Sequence, residues 1–399
     1  MVPKGWVNSC VENNISFSGG SQPPRSTFKF KPEEGYIRLI QIRDYKTDKF
    51  ETYIPTQLAK KFCTVDDVMI GRYGPPIFQI LRGIEGAYNV ALIKATPKKN
   101  LEKDFMYYFL TRDALFNIIE SHSQRTSGQT GIEMDVLKSY PMPLPPINEQ
   151  KKIANILSTW DKAIGTTERL IENSTQQKKA LMQQLLTGKK RLLDESGKRF
   201  EGEWENQSIK NLTNRVGDGI HSTPKYTDKS SIRFVNGNNL NNGSIVFSDL
   251  TKFVDEDDAK NHYRNLSSRT ILMSINGTIG NLAIYNNESI VLGKSACYIN
   301  VKEEIDVLFI FYKLASSEVQ SHFISRLTGS TIKNLSLTTI KSTQVALPSL
   351  KEQQKIATVL TNADKEIELL EQQLADLQQE KKALMQVLLT GKVRVVVDG

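Results

Sequence analysis

A segment of 48 residues occurs twice in this chain, at 144–191 and, with a constant offset of 203, at 347–394. The copies are identical at 25 of the 48 aligned positions. Two unrelated helices rich in Lys, Gln and Leu would share far fewer, which indicates an internal duplication. We therefore predict four parts: a first globular block 1–143, a first conserved long helix 144–191, a second globular block 192–346, and a second conserved long helix with its tail 347–399.

Each copy has the hydrophobic pattern of a coiled-coil helix, because apolar residues recur at alternating steps of four and three. Ser349 and Glu352 have the spacing of a capping box, and Gly391 stands where a helix is expected to end. The predicted helix has about 38 residues and a length of about 57 Å. The predicted seam consists of Ile153, Leu157, Trp160, Ile164, Ile171, Leu181, Leu185, Ile356, Leu360, Ile367, Leu370, Leu374, Leu377, Leu384 and Leu388.

A long helix with one apolar seam needs a partner, and the other copy supplies one. Because a globular block separates the copies, an antiparallel pair is the simplest connection, and it predicts an internal pseudo-twofold repeat. The copies also match at polar, exposed positions that core packing would not require. We expect these positions to dock two copies of one partner protein: Lys179, Gln183, Thr187, Lys189, Lys382, Gln386, Thr390 and Lys392.

Composition predicts a soluble, cytoplasmic protein. No apolar run approaches the 18 to 20 residues of a membrane span, and the residues after Met1 do not resemble a signal peptide. Three widely separated cysteines fit a reducing compartment. The formal net charge of +8 allows a polyanionic partner, although many proteins that bind no nucleic acid are as basic.

The globular blocks are predicted to be mixed α/β (α+β), each with short strands and one late helix. Loops rich in Arg, Lys, Asn, Gln, Ser and Gly lie between these elements, as in IGRYGPP, SQRTSGQTG and NGNNLNNGS. Such side chains contact phosphates and base edges, but they are equally common in solvated turns.

Motifs for catalysis are missing from the sequence. The four histidines lack zinc-ligand spacing, no CxxC or HExxH occurs, and no GxGxxG follows a predicted strand. We therefore expect neither a catalytic residue, a cofactor site nor a metal site.

Each of the two variable blocks is followed by a conserved helix. The first helix contains LPPINEQKKIANIL and QKKALMQQLLTGKKR, and the second contains LPSLKEQQKIATVL and EKKALMQVLLTGKVR. In this organisation the chain resembles the specificity subunits of type I restriction-modification systems. The resemblance covers the whole chain in its organisation. It implies target recognition domains that each read half of a bipartite, asymmetric DNA sequence, with the paired helices fixing the spacer. It also implies two adenine-N6 methyltransferase subunits that carry S-adenosylmethionine, and possible restriction subunits that carry ATP and Mg.

The resemblance does not assign individual base contacts, because recognition domains vary among family members. Our candidates follow from loop chemistry: Arg43, Lys46, Arg72, Tyr73, Arg125, Ser127 and Gln129 in the first block, and His221, Lys225, Asn238, Asn239, Asn276, Thr278, Lys294, Ser330 and Lys333 in the second. Two alternatives remain open at this point. One is a coiled-coil interaction scaffold without DNA specificity, and the other is an enzyme with its own nuclease or methyltransferase activity.

Overall fold

The computed structural model describes residues 3–126, 129–329 and 331–396, except for the side chains of 124–126 and 129–130. Its residues form two compact units. The first unit contains the residues up to 168 and those from 372 onwards, and the second unit contains 169–371. Each unit therefore combines one globular block with part of both long helices, a division that cuts across the four parts predicted from the sequence.

The first unit contains two four-stranded sheets and one three-stranded sheet, in the strand orders β1-β9-β5-β7, β3-β2-β8-β4 and β10-β11-β6. The strands are β1 (Ile15–Gly19), β2 (Tyr36–Ile40), β3 (Tyr53–Pro55), β4 (Phe62–Cys63), β5 (Val68–Gly71), β6 (Tyr73–Gly74), β7 (Gln79–Leu81), β8 (Gly86–Tyr88), β9 (Leu92–Pro97), β10 (Gln124–Thr126) and β11 (Gln129–Gly131). The helices are α1 (Val11–Asn14), α2 (Lys103–Leu110), α3 (Asp113–Ser121), α4 (Met134–Ser139) and the start of α5 (Ile147–Leu185).

The second unit contains a four-stranded sheet in the order β13-β20-β17-β18 and three strand pairs. The strands are β12 (Glu205–Ser208), β13 (Thr213–Asp218), β14 (Arg233–Val235), β15 (Leu240–Asn241), β16 (Ser244–Ile245), β17 (Thr270–Ser274), β18 (Leu282–Ile284), β19 (Ile290–Leu292), β20 (Ala296–Val301) and β21 (Gln344–Leu347). The helices are α6 (Glu256–Lys260), α7 (Val307–Ala315), α8 (Ser317–Ser325), α9 (Leu337–Ser342) and the start of α10 (Leu350–Leu388).

The principal sheets of the two units are equivalent, which confirms the predicted internal repeat. In each, an early edge strand pairs antiparallel with a late central strand, which pairs with a second antiparallel strand. The central strand β20 buries five of its six side chains, and β9 buries three of six. Apolar residues of both faces therefore form the core, as their β-branched and aromatic composition favours.

The single late helix predicted in each block is wrong in detail, because both units contain a broken pair of helices. In the second unit, Ser316 ends α7 and caps α8 by accepting a hydrogen bond from the backbone N–H of Val319. In the first unit, Thr111 and Arg112 separate α2 from α3. Arg112 and Ser316 both have an extended backbone conformation, which is typical of the residue that starts a helix.

Within each unit, the segments of α5 and α10 run antiparallel, as predicted. All the predicted seam residues are buried or half-buried. Ile153 and Leu157 share the first unit's core with Leu388, whereas Ile356 and Leu360 share the second unit's core with Leu185. Burial of these side chains on folding stabilises each pairing by roughly 1.5–3 kcal/mol per residue.

The helix ends follow the prediction only in part. Gly391 has the left-handed φ of +68° expected after a helix, and Gly188 has φ +69°. Ser349 accepts a hydrogen bond from the N–H of Glu352 at 3.5 Å. The carboxylate of Glu352 does not complete a capping box, because it accepts two hydrogen bonds from Arg191 at 2.6 and 2.7 Å.

This carboxylate–arginine pair occurs in both units. In the first unit, Glu149, with 3% of its side chain exposed, accepts hydrogen bonds from Arg394 at 2.6 and 2.7 Å and from the indole N–H of Trp6 at 3.1 Å. In the second unit, Arg191 contacts the Trp204 ring. The start of one conserved helix is thus joined to the end of the other by a bidentate pair.

A second repeated cluster gives a role to two lysines at seam positions: Lys381, which lies four residues after Leu377 and three before Leu384, and its counterpart Lys178. In the first unit, Asp161 of α5 accepts hydrogen bonds from the Tyr108 hydroxyl at 2.6 Å and from Lys381 of α10. In the second unit, Asp364 of α10 accepts one from Tyr312 at 2.6 Å and is paired with Lys178 of α5. Each carboxylate therefore holds a globular block and both helices together.

Replacement of Tyr108 or Tyr312 by Phe should destabilise its unit by about 1.5 kcal/mol, because a hydrogen bond to a charged group is lost while the ring stays. Urea unfolding measures this change. Tyr107→Phe is the matched control, because the Tyr107 hydroxyl has no hydrogen-bond partner among the described residues. Equal stability of all three variants would contradict the role given to these clusters.

The same tyrosines predict a dependence on pH. Burial, followed by the hydrogen bond to aspartate, raises the pKa of both hydroxyls above the ordinary value of 10. Their contribution is complete below pH 10 and decreases at higher pH, because the unfolded chain releases these protons first. The double Phe variant should therefore lose less stability than the original protein between pH 9 and pH 11.

Candidate nucleic-acid interface

Three strands of the first unit's principal sheet bring loops to one end. Gly19 pairs with Ile93, and Gly71 pairs with Leu92. The end of β1, the end of β5 and the start of β9 therefore lie together at this end of the sheet. We call it the first loop end. The N–H of Arg72 donates to the carbonyl of Ala91 at 2.8 Å.

The loop of Arg72 and Tyr73 lies beside the β10–β11 hairpin. Tyr73 and Gly74 form β6, which pairs with β11, and Arg125 and Gln129 belong to this hairpin. Arg72 is exposed, and its guanidinium lies 5.4 Å from the centre of the Tyr73 ring. The structure thus brings together four of the candidates, whereas Ser127 lies outside the described residues.

Arg43 lies on the short 3₁₀ turn Ile42–Tyr45, which follows β2. Lys46 lies at the end of this turn. Both are exposed. The turn is held by Gln41, whose N–H donates to the Asp44 carboxylate at 2.9 Å. Ile42 packs against Gly71, so this turn lies next to Arg72 at the first loop end.

The second unit has an equivalent loop end, because Asp218 pairs with Cys297 and Ser274 pairs with Ala296. The amide of Asn276 donates to the Lys294 carbonyl at 3.1 Å, and the N–H of Gly277 donates to the Lys333 carbonyl at 3.1 Å. The sequence could not reveal this juxtaposition, because these residues are up to 57 positions apart.

Several second-block candidates are exposed at this second loop end. Thr278, Lys294 and Lys333 are exposed, and Asn276 is half-buried. Ser330 lies outside the described residues. Cationic and amide side chains of the described residues thus lie together at the second loop end and are accessible to solvent.

Asn238 and Asn239 have different environments on the turn Gly237–Asn239. The Asn239 side chain accepts from the N–H of Asn236 at 2.9 Å and donates to the carbonyl of Val246 at 3.1 Å. Asn238 is exposed. Asn239 therefore stabilises the turn, which corresponds to the solvated-turn interpretation, whereas Asn238 is available to a ligand.

Two residues that were not among the candidates, Asn236 and Ser295, anchor this turn. The hydroxyl of Ser295 donates to the Asn236 side-chain oxygen at 2.9 Å and accepts from the N–H of Gly237 at 2.9 Å. Asn236 lies two residues before Asn238 in the sequence, but only the fold places Ser295 beside it. This contact fixes Asn238 relative to Lys294.

His221 and Lys225 follow β13. His221 Nε2 lies 2.8 Å from a carboxylate oxygen of Asp218, and its side chain is 72% exposed. The Lys225 ammonium lies 3.8 Å from Asp255 and its side chain is 74% exposed. Each is thus exposed but has a carboxylate neighbour that reduces its attraction for phosphate.

The two loop ends present different side chains at equivalent positions. Arg43 and Asn238 occupy the middle of turns built on the same hydrogen-bond pattern. Tyr73 and Asn276 follow equivalent strands and pair with equivalent segments. One framework therefore carries an arginine and an aromatic ring in the first unit, and two amides in the second.

The predicted docking residues lie near the ends of α5 and α10. Lys179, Gln183, Thr187 and Lys189 are exposed in the second unit. In the first unit, Gln386, Thr390 and Lys392 line a groove of about 570 Å³ with Arg112. Lys382 lines the same groove and forms an ion pair with Asp113 at 2.7 Å. Their docking role stays a prediction.

The described residues contain no cluster of three His, Cys, Asp or Glu side chains suited to a metal ion. Burial raises the pKa of the Cys63 thiol to about 11 and that of Cys297 to about 12. Both thiols therefore stay protonated and unreactive near neutral pH. No helix within the described ranges is long and apolar enough to span a membrane.

Comparison with known proteins identifies a family. The model of the type I restriction modification DNA specificity domain matches residues 3–174 and 201–379. The chain is 26% identical over 410 residues to the specificity subunit of type I restriction enzyme MjaVIII from Methanocaldococcus jannaschii, covering 99% of this chain and 94% of that one. It is 23% identical over 378 residues to the EcoBI specificity subunit of Escherichia coli, covering 89% and 78%.

Solved structures show the same fold. The S subunit of a type I restriction-modification system from M. genitalium has a TM-score of 0.60 at 16% identity, covering 97% of this chain and 96% of that chain. A chain from a study of complex assembly and conformational transition in a type I system has a TM-score of 0.61 at 15% identity, covering 98% and 100%. At such low identity the likeness concerns the fold alone.

Neighbouring asparagines should respond differently to alanine. Asn239→Ala removes two hydrogen bonds of the turn and should lower stability by about 1–3 kcal/mol. Asn238→Ala should leave the free energy of unfolding within about 0.5 kcal/mol of the original, because the residue is exposed. Thermal unfolding followed by circular dichroism measures both, and equal destabilisation by the two variants would contradict the assignment.

Proposed function

Because the chain belongs to the family of type I restriction modification DNA specificity domains, we propose that it reads a bipartite, asymmetric target in double-stranded DNA, with one half-site for each loop end. Recognition of DNA sequence is the function of the family. The division of the target between two loop ends is our proposal for this chain.

The observation that carries the proposal is the pair of equivalent frameworks with different exposed side chains. Arg72 and Arg43 at the first loop end suit a bidentate contact with guanine, whereas Asn238 and Asn276 at the second suit adenine. Because Arg43 and Asn238, and likewise Tyr73 and Asn276, are different side chains at equivalent positions, the two half-sites should differ in sequence. The target is therefore asymmetric.

The chain assembles with other subunits of its restriction-modification system. We assign it two adenine-N6 methyltransferase subunits, docked on the two copies of the conserved helix surface, and restriction subunits through them where these exist. The repeated surface residues support this number, because equivalent surfaces bind equivalent partners.

In this assignment the chain itself is not an enzyme. The methyltransferase subunits bring S-adenosylmethionine, and restriction subunits bring ATP with Mg. The target adenine must leave the base stack before its amine reacts, at a cost of a few kcal/mol. Binding of DNA by a recognition domain together with a methyltransferase offsets this cost, and the chain contributes the sequence dependence.

The direct test is to co-express the chain with its candidate methyltransferase subunit in a host that lacks adenine methylation, and to map N6-methyladenine by sequencing. We expect one bipartite, asymmetric motif with one modified adenine on each strand. A complex that assembles and binds the methyl donor but produces no motif would contradict the proposal and favour an interaction scaffold.

Arg72→Ala should reduce discrimination at one base pair by about 1–3 kcal/mol, because a bidentate contact between arginine and guanine is lost. Methylation rates on a set of targets with single base changes measure this effect. Arg72→Lys is the comparison, since lysine keeps the charge without the planar fork and should also lose discrimination. A uniform loss of affinity for every target would identify Arg72 as a phosphate contact instead.

A further inference from the structure

A basic groove follows the edge strand of the second unit's principal sheet. It has a volume of about 700 Å³ and is lined along β13 by Asn214 and Arg215. Lys210 and Lys341 lie on its walls, together with Arg264. We call this the β13 groove. The candidates selected from the sequence did not include these residues.

None of its cations has a carboxylate partner among the described residues. Lys210, Arg215 and Lys341 form no ion pair within the described ranges, and Arg264 donates from Nε only to the backbone carbonyl of Asp218, at 3.2 Å. Arg215 is exposed, and its guanidinium lies 6.0 Å from the centre of the Tyr298 ring. Lys210 and Arg215 are exposed and Lys341 is half-buried, so all three can reach a bound anion.

The backbone beside these cations is also irregular. The pairing of β13 with β20 shifts register between Thr213 and Arg215. Asn214 therefore stands outside the regular ladder, and its side chain is exposed in the groove. A bulge at the edge of a sheet changes the direction of its side chains and leaves backbone groups of the extra residue without partners in the ladder. Asn214 and Arg215 of β13 therefore line the groove together with Lys210 and Lys341 of neighbouring segments.

The lining favours the sugar–phosphate backbone of DNA over an acidic protein segment. Arginine, lysine, asparagine and threonine are typical phosphate contacts, whereas the centre of a protein interface is usually apolar and aromatic. Lys210, Thr213, Asn214, Arg215 and Lys341 supply polar atoms to this groove. Apart from Val216 and two tyrosines, little apolar surface is available for a protein to cover.

The groove is also continuous with the proposed recognition surface. Strand β13 runs from Thr213 in the groove to Asp218, whose carboxylate contacts His221 at the second loop end. A DNA strand that leaves this loop end along β13 would pass the unpaired cations. We propose that the β13 groove binds the phosphate backbone of the DNA that flanks the second half-site, an inference that depends on the proposed function.

The first unit has different side chains at the equivalent positions. Ser16 takes the place of Arg215, because Ser16 pairs with Thr96 as Arg215 pairs with Asn300. The Ser16 hydroxyl donates to the Thr96 carbonyl at 3.2 Å. Lys138 on α4 takes the place of Lys341 on α9, but it lies 3.9 Å from Asp135. The extra backbone contact therefore belongs to the second half-site only.

The test uses the assembled complex with its methyltransferase subunits and a duplex that carries the mapped motif. The variant combines Lys210→Ala, Arg215→Ala and Lys341→Ala. Each lost phosphate contact should reduce the slope of log affinity against log salt by about 0.9, and three contacts by about 2.7. Between 50 and 200 mM salt, the original complex should therefore lose about 40-fold more affinity than the variant. The methylated motif should stay the same.

Matched variants separate this account from others. Lys341→Ala should reduce the slope by about 0.9, whereas its counterpart Lys138→Ala should leave it unchanged, and Arg215→Lys should retain it because the charge stays. A triple variant that assembles and has the original slope would overturn the proposal. Weaker assembly of the triple variant, with the original slope for the complexes that still form, would overturn it in favour of an acidic protein partner. Absence of any motif with the original complex would instead contradict the proposed function, before the groove is tested.

Discussion

Each unit depends on one carboxylate that is shared by three elements. Asp161 is held by Tyr108 and Lys381 in the first unit, and Asp364 by Tyr312 and Lys178 in the second. A half-buried carboxylate with two donors keeps its charge satisfied, whereas the removal of either donor leaves it partly unpaired. The globular block, the long helix that follows it and the other long helix are joined at this point. The loops at each loop end are therefore attached to a framework with a fixed local geometry.

The loop ends show how one framework carries two different sets of exposed side chains. Buried strands of equivalent pairing fix where each chain turns, and hydrogen bonds such as those of Gln41 and Asn239 fix how it turns. The exposed residue between them is then free to differ, as Arg43 and Asn238 do. Because only the exposed positions change, a recognition surface can vary without repacking the core. The β13 groove shows the same separation, since Arg215 lies on the edge strand β13 of the second unit's principal sheet and is exposed.

The repeat, the mixed α/β blocks and the paired helices could be predicted from the sequence, because duplicated residues and heptad spacing are local signals. The helix breaks at Arg112 and Ser316 were missed, since apolar periodicity continues across both. The role of Glu352 was misassigned because its partner, Arg191, is 161 residues away. The proximity of Asn276 to Lys294 and Lys333 likewise arises from strand order, which the spacing of residues does not encode.

The central claim is that the two globular blocks recognise DNA as separate modules on one framework. The most direct measurement replaces residues 192–346 with the corresponding block of another family member and maps N6-methyladenine made by the assembled complex. The account predicts that one half of the motif changes and the other half stays identical. A change in both halves, or in neither, would contradict it.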